Sequence, residues 1–193
     1  MLRSIARRKV AATEARPYAL APTPSDALGP AYRAGAPQRT SLRESEHDGT
    51  ALAVAGQAVD AVTGRPIPGA QIEVWQTDAR GWYSDLAGMA PKGNAKRLWM
   101  RAAFGTDDQG RYRFDTILPG HYPLGPFTRP RHIHFLVRRE GYADLITQMY
   151  FAGDRLLQRR RYADLRALIV TPIETPGRRS LSATFDLVLR PMR

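Results

Sequence analysis

From Thr50 onward the chain is a succession of short apolar runs, each cut off by Gly, Pro or Asp, and this texture most constrains how it can fold. Side chains alternate between faces along a strand, so a half-buried strand reads as every second residue apolar. Residues 51–59 form one such run, and the turn Asp60-Ala61-Val62-Thr63-Gly64-Arg65-Pro66 follows. In residues 70–76, Ile72 and Val74 flank Glu73. The hairpin signal Asp107-Asp108-Gln109-Gly110 precedes a strand over 111–114, with Tyr112 and Phe114 on one face. Residues 131–138 and 145–151 read as two more strands separated at Glu140-Gly141, and 183–189 as a last one with Phe185, Leu187 and Leu189 in phase. Many short strands with such turns predict an all-β fold, an antiparallel β-sandwich. At most one short core helix is expected, over 155–168, where Leu156, Leu157, Leu165 and Leu168 can share a stripe.

Residues 1–48 have a different texture. Pro17, Pro22, Pro24, Pro30 and Pro37 punctuate them and no period is sustained, which predicts an extended N-terminal arm, with room for a short first helix. Too few apolar residues lie there for the segment to fold alone, so it is expected to pack on the core or on a neighbouring subunit. Residues 49–193 then form the single β-sandwich domain, as a length of 193 residues allows.

The formal net charge is +11, and over half of it lies in residues 1–43, where eight Arg or Lys face only Glu14 and Asp26. Such an excess favours anionic partners, but no nucleic-acid motif or aromatic-rich basic platform accompanies it, so no nucleic-acid function is expected. There is no cysteine, which excludes disulfides, Cys-ligated zinc and iron–sulfur clusters. The twin arginine Arg7-Arg8 lacks the apolar stretch of a signal peptide, and no window reaches the ~18 apolar residues of a membrane span. A cytoplasmic protein with no membrane partner is the expectation.

Only four histidines occur, and two of them, His132 and His134, stand one residue apart in Arg129-Pro130-Arg131-His132-Ile133-His134-Phe135. On a strand, side chains at i and i+2 point to one face, so this pair can serve as two ligands of one metal. It can equally be a structural pair bonded to backbone. His47 and His121 form no recognised zinc spacing with it. Tyr122 lies in the Pro/Gly-bracketed turn Leu118-Pro119-Gly120-His121-Tyr122-Pro123, outside any core period, and Tyr83 lies in Gly81-Trp82-Tyr83-Ser84. If phenolates joined the two imidazoles, the hard anionic oxygens would suit ferric iron better than zinc.

These segments, in order, resemble the intradiol ring-cleaving aromatic dioxygenases, and most of all the iron-carrying subunit of the protocatechuate enzymes. The resemblance also runs through Gly29-Pro30-Ala31-Tyr32, Gly64-Arg65-Pro66-Ile67-Pro68-Gly69-Ala70, Val74-Trp75-Gln76, Leu145-Ile146-Thr147-Gln148-Met149-Tyr150-Phe151 and Phe185-Asp186-Leu187-Val188-Leu189-Arg190, and so spans about Gly29 to Arg190. It implies that Tyr83, Tyr122, His132 and His134 hold a non-haem Fe(III), with Tyr122 the ligand that an incoming catechol displaces. It implies that Arg129 is the active-site arginine, permanently cationic and able to stabilise charge developing on the ring. Trp75, Gln148 and Tyr150 fall at pocket positions. Leu124 stands where close relatives carry a tryptophan, and the residues around Lys92, Lys96 and Arg97 carry no resemblance.

The resemblance therefore implies an enzyme that cleaves a catecholic ring between its hydroxylated carbons with O2, giving a cis,cis-muconate-type product. It also implies a homo- or hetero-oligomer. The competing reading is a non-catalytic β-sandwich binding module of transthyretin type, or the non-catalytic partner subunit. The pattern over 54–60 and 66–70 is common to both. The two tyrosines with His-x-His separate them, since a bare module has no reason to keep that set.

Overall fold

The computed structural model describes residues 19–43, 48–84, 98–177 and 179–192. The expectations for a first helix, for His47 and for Lys92, Lys96 and Arg97 fall outside the described residues. Among the described residues there are twelve strands: β1 (Ala51–Asp60), β2 (Gln71–Gln76), β3 (Arg101–Gly105), β4 (Arg111–Ile117), β5 (Tyr122–Leu124), β6 (Phe127–Arg129), β7 (His132–Arg138), β8 (Leu145–Phe151), β9 (Ile169–Val170), β10 (Ile173–Glu174), β11 (Ser180–Thr184) and β12 (Leu187–Leu189). The all-β sandwich is the observed architecture. One sheet runs β10-β11-β1-β12, with β4 on the other edge of β1; the second runs β3-β2-β7-β8-β9; β5 and β6 form a separate hairpin.

Most pairs are antiparallel, but β1 pairs in parallel with both β11 and β12, and β8 with β9. The run 183–189 is therefore not one strand. It breaks at Phe185-Asp186, where the chain crowds Gly56 so closely that a Cβ there would lie 2.0 Å from the Phe185 carbonyl oxygen. The break is bridged by hydrogen bonds from Phe185 N to the Ala55 carbonyl and from Gln57 N to the Asp186 carboxylate, both 2.9 Å.

The segment 155–168 is two short 3-10 segments, Arg155–Gln158 and Arg160–Leu168, rather than an α-helix. Arg159 between them is extended (φ −68°, ψ 138°), which ends the first segment and starts the second. Leu157, Leu165 and Leu168 still dock on the core, so the leucine stripe does its packing without an α-helical period.

The core lies between the sheets. Phe104, Phe114, Phe135 and Phe185 meet there at centroid distances of 5.2–6.1 Å. Burying each such side chain stabilises the fold by about 1.5–3 kcal/mol. Strand β7 is buried on both faces from His132 to Val137. Its odd residues Ile133, Phe135 and Val137 enter the core between the sheets, while Leu136 joins a second cluster with Ala31, Trp75, Tyr83 and Tyr122. Alternation thus places His132 and His134 on the outer face of the second sheet. The arm is tied to both sheets: Asp26 and Arg39 donate backbone N–H groups to the Ile146 and Ala103 carbonyls of the second sheet, and Thr23 and Leu42 to the Val188 and Asp115 carbonyls of the first.

Candidate metal centre

The two tyrosine loops are built around Asp78. Its carboxylate accepts from Arg80 N and Trp82 N, both at 2.9 Å, and its carbonyl accepts from Gly81 N at 3.2 Å and Gly120 N at 2.7 Å. The first three bonds curl the chain so that Tyr83 turns inward; the fourth ties that loop to the one carrying Tyr122. On the reverse side, Asp154 accepts from Arg131 N at 2.8 Å and pairs with His121 at 2.9 Å. His121 is thus engaged away from the histidine pair. Burial alone would raise the Asp154 carboxyl, but the Arg131 and Leu156 amides and His121 outweigh it and hold it below its ordinary value.

Three of the four expected ligand atoms converge. Tyr83 Oη lies 3.2 Å from His132 Nε2 and 3.1 Å from His134 Nε2, and the two Nε2 atoms are 3.1 Å apart. Donors bound to one metal at about 2.0–2.1 Å and meeting at 90–109° stand about 2.9–3.4 Å from one another, so the triangle has the size of a coordination face. His132 Nδ1 lies 2.7 Å from the Pro130 carbonyl, which can only accept. The Nδ1–H is therefore fixed and the Nε2 lone pair turned toward the triangle. His134 Nδ1 is buried without a well-formed hydrogen bond, the Ala27 carbonyl being the backbone group that acts on it.

Trp75, opposite His134 on the neighbouring strand, stacks on its ring at 4.7 Å with 4° between planes and locks its orientation. Burial first, then the nearby Arg129 cation, lowers the His132 pKa to about 4. Burial, then His132, Arg129 and Arg101, holds His134 well below its ordinary value. Both rings are consequently neutral at pH 7 and offer lone pairs.

Tyr122 is placed beside the triangle rather than in it. Its ring meets that of Tyr83 edge-on at 5.0 Å, and among the described residues its hydroxyl makes no hydrogen bond. Burial raises its pKa, with Arg129 pulling the other way. Arg129 faces Tyr122 across the β5–β6 hairpin. Its Nη2 donates to Gln148 Oε1 at 2.9 Å and to Tyr150 Oη at 3.0 Å. Gln148 and Tyr150 stand on β8 directly opposite His134 and His132. All eight sequence-predicted residues therefore lie on one face of one sheet or in the loops that cover it.

Sequence reasoning missed three contributors. Arg101 is 1% exposed and donates to the Ala31 carbonyl at 2.6 Å; a charge inside the apolar run Leu98-Trp99-Met100-Arg101-Ala102-Ala103-Phe104 was its signal. Gly29 lets the arm approach His134, and Asp26 accepts from the Tyr150 hydroxyl at 2.7 Å. No period or motif marks Asp26.

The family model described as "Dioxygenase" matches residues 27–191. The chain belongs to the intradiol ring-cleavage dioxygenase family. Within that family it is 34% identical over 171 residues to a catechol 1,2-dioxygenase of Acinetobacter baylyi, covering 79% of this chain and 54% of that one. It is 36% identical over 123 residues to a protocatechuate 3,4-dioxygenase beta chain of Burkholderia cepacia, covering 62% and 52%. The fold matches the dioxygenase domain of a dioxygenase–carbohydrate-binding fusion from Streptomyces sp. SirexAA-E with TM-score 0.73, 31% identity and coverage of 89% of this chain and all of that one. It also matches a catechol 1,2-dioxygenase from Acinetobacter sp. ADP1 with TM-score 0.79 and 30% identity, over 89% and 63%. The chain spans about half the length of the curated relatives it matches. Intradiol dioxygenases generally depend on non-haem iron. The donor set fits that metal: phenol oxygen with imidazole nitrogen, no thiol, and among the described residues no cluster of three or more histidines and carboxylates that would favour zinc. No described helix is long and apolar enough to cross a membrane.

Proposed function

We propose that this chain is a non-haem Fe(III) intradiol dioxygenase that opens a catecholic ring, protocatechuate or a related catechol, between its two hydroxylated carbons with O2. The reading rests above all on the triangle of Tyr83 Oη, His132 Nε2 and His134 Nε2, with edges of 3.1–3.2 Å. Tyr83, His132 and His134 would hold the iron, and Tyr122 would complete the set. Iron held there would supply Lewis-acid chemistry that activates a catechol toward O2.

The protein's own groups do the rest. Neutral imidazoles, His132 with its tautomer fixed by the Pro130 carbonyl and His134 with its ring held against Trp75, turn Nε2 inward. Tyr122, whose hydroxyl makes no hydrogen bond among the described residues, would be the donor able to give way and to take a proton from an incoming catechol hydroxyl. Arg129 keeps a cation at hydrogen-bonding distance from Gln148 and Tyr150 and beside the ring position, where it stabilises negative charge without a proton transfer. Trp75 excludes water from the back of His134.

The deciding experiment is iron loading followed by absorption spectroscopy and O2 uptake on a panel of catechol, protocatechuate, hydroxyquinol and substituted catechols. A red-brown protein that consumes O2 with at least one of them is expected. A protein that stays colourless after iron addition would sink the reading. The same reading treats residues 1–48 as an assembly arm of an oligomer, and light scattering that finds a monomer would contradict that part.

A further inference from the structure

The polar groups around Arg129 form a directed chain that ends on the N-terminal arm. The Tyr150 hydroxyl has one proton and three polar neighbours: Asp26 Oδ2 at 2.7 Å, Gln148 Oε1 at 3.0 Å and Arg129 Nη2 at 3.0 Å. A guanidinium only donates and an ionised carboxylate only accepts. Arg129 therefore donates to the Tyr150 oxygen, and the Tyr150 proton must choose between Asp26 and Gln148. The carboxylate is closer and charged, so it takes the proton. Gln148 Oε1 is then left to accept from Arg129 at 2.9 Å, while its amide nitrogen is held by the Ala27 carbonyl at 2.6 Å. Asp26 is itself fixed, its N–H donating to the Ile146 carbonyl at 2.9 Å and its other carboxylate oxygen accepting from Ala27 N at 2.6 Å.

We propose that Asp26 is a positioning residue that acts through Tyr150 to aim the Arg129 guanidinium beside the Tyr83–His132–His134 triangle. Without the carboxylate, the Tyr150 proton swings to Gln148 Oε1 and competes for the acceptor that Arg129 uses. One amide oxygen then accepts from both the tyrosine and the arginine, and the arginine is held less firmly. Its Nε–H, buried and without a hydrogen-bond partner among the described residues, reports the change, because its shielding from water depends on the pose of the whole group. Only the kinetic consequence rests on the dioxygenase reading; the positioning does not.

The test uses the full chain with Asp26→Ala and, from the other end of the link, the nearly isosteric Tyr150→Phe. The first readout is the Arg129 Nε–H resonance of the metal-free protein, assigned by its disappearance in Arg129→Lys. Its hydrogen exchange should speed up by about tenfold or more in both variants, while Asp26→Asn, whose side-chain oxygen still accepts from Tyr150, should stay near wild type. The second readout is the iron-loaded enzyme, in which Asp26→Ala should lower kcat about tenfold with KM within about twofold and iron content unchanged. An Nε–H that exchanges as in wild type in both variants overturns the proposal, as does a loss of kcat that tracks lost iron. A wild-type chain that binds iron yet consumes no O2, combined with faster exchange in the variants, overturns the dioxygenase reading and leaves the positioning role standing.

Discussion

Gly81 and Gly120 lie back to back: a Cβ on Gly81 would sit 2.0 Å from the His121 carbonyl oxygen, and one on Gly120 would sit 2.3 Å from the Gly81 amide nitrogen. This contact brings the Tyr83 loop and the Tyr122 loop close enough for their rings to meet. An alanine at Gly81 faces backbone, which cannot rotate away, and a φ of +90° that alanine adopts poorly. Gly81→Ala is expected to cost about 3 kcal/mol, at the upper end of overpacking, and to lower iron stoichiometry by separating the tyrosines. Urea denaturation and metal analysis of the purified variant check both; a wild-type urea midpoint would show that the loops can part without cost.

Gly29 offers a comparison within the arm. A Cβ there would lie 3.0 Å from His134 Cε1, whereas one on Gly35, which has a similar positive φ, would meet nothing within 4 Å. Alanine at either position carries a similar backbone strain of about 1–2 kcal/mol. Only Gly29→Ala pushes on the His134 ring and tilts its Nε2 out of the triangle. Iron affinity, measured by competition with a chelator, should fall about 10–100-fold in Gly29→Ala and stay at wild type in Gly35→Ala. Equal affinities in the two variants would show that the arm does not set the ring.

How far the site was legible follows from which interactions are local. His132 and His134 share a face because a strand has a period of two, and that is written in their spacing. Which face is covered, and by what, is not local: the outer face of β7 is buried by Ala31 of the arm and by Tyr83 and Tyr122 from distant loops. Strand β3 escaped notice because Arg101 interrupts its apolar run, and that arginine is satisfied by a carbonyl seventy positions away, in the arm. The parallel pairing of β1 with β11 and β12 is likewise invisible, since alternation gives a strand its inner face but not its neighbour or direction. Of the leucines in 155–168, Leu157, Leu165 and Leu168 face the core as their spacing suggests and Leu156 does not join it, and spacing alone does not reveal the break at the extended Arg159.

Asp60 and Tyr142 should set the pH limits of stability. Asp60 is buried, and desolvation opposes its ionisation. Amide and hydroxyl donors from Thr63, Tyr142 and Val62 more than offset this and lower its pKa. The folded chain therefore binds fewer protons near pH 4 than the unfolded one, and stability present above the ordinary carboxylate range is lost as pH falls through the lowered value. Tyr142 moves the other way, raised by burial and by the Asp60 carboxylate to about 12. Its contribution is full below the ordinary phenol value near 10 and is lost as pH rises from there toward 12. Urea midpoints should be flat across neutral pH and fall at both ends. Tyr142→Phe, which removes the 2.8 Å bond to Asp60, should flatten the alkaline fall and shrink the acid one. An unchanged alkaline limb would assign that limb to other tyrosines.

Tyr122→Phe separates ligation from packing better than any other substitution at the site. The ring, buried at 5% exposure and edge-on to Tyr83, is kept; the hydroxyl, which has no hydrogen-bond partner among the described residues, is all that is removed. Stability without iron should therefore change by less than about 0.5 kcal/mol, as for a surface substitution. If Tyr122 is a ligand that yields to substrate, the iron-loaded variant should keep visible absorption from Tyr83 but with an altered band. It should also bind catechol more slowly, because the base that receives the catechol proton is gone. Stopped-flow absorption with catechol under anaerobic conditions measures both, and anaerobiosis keeps binding apart from ring opening. A spectrum and a binding rate equal to wild type would remove Tyr122 from the donor set and leave the Tyr83–His132–His134 triangle as the whole protein contribution.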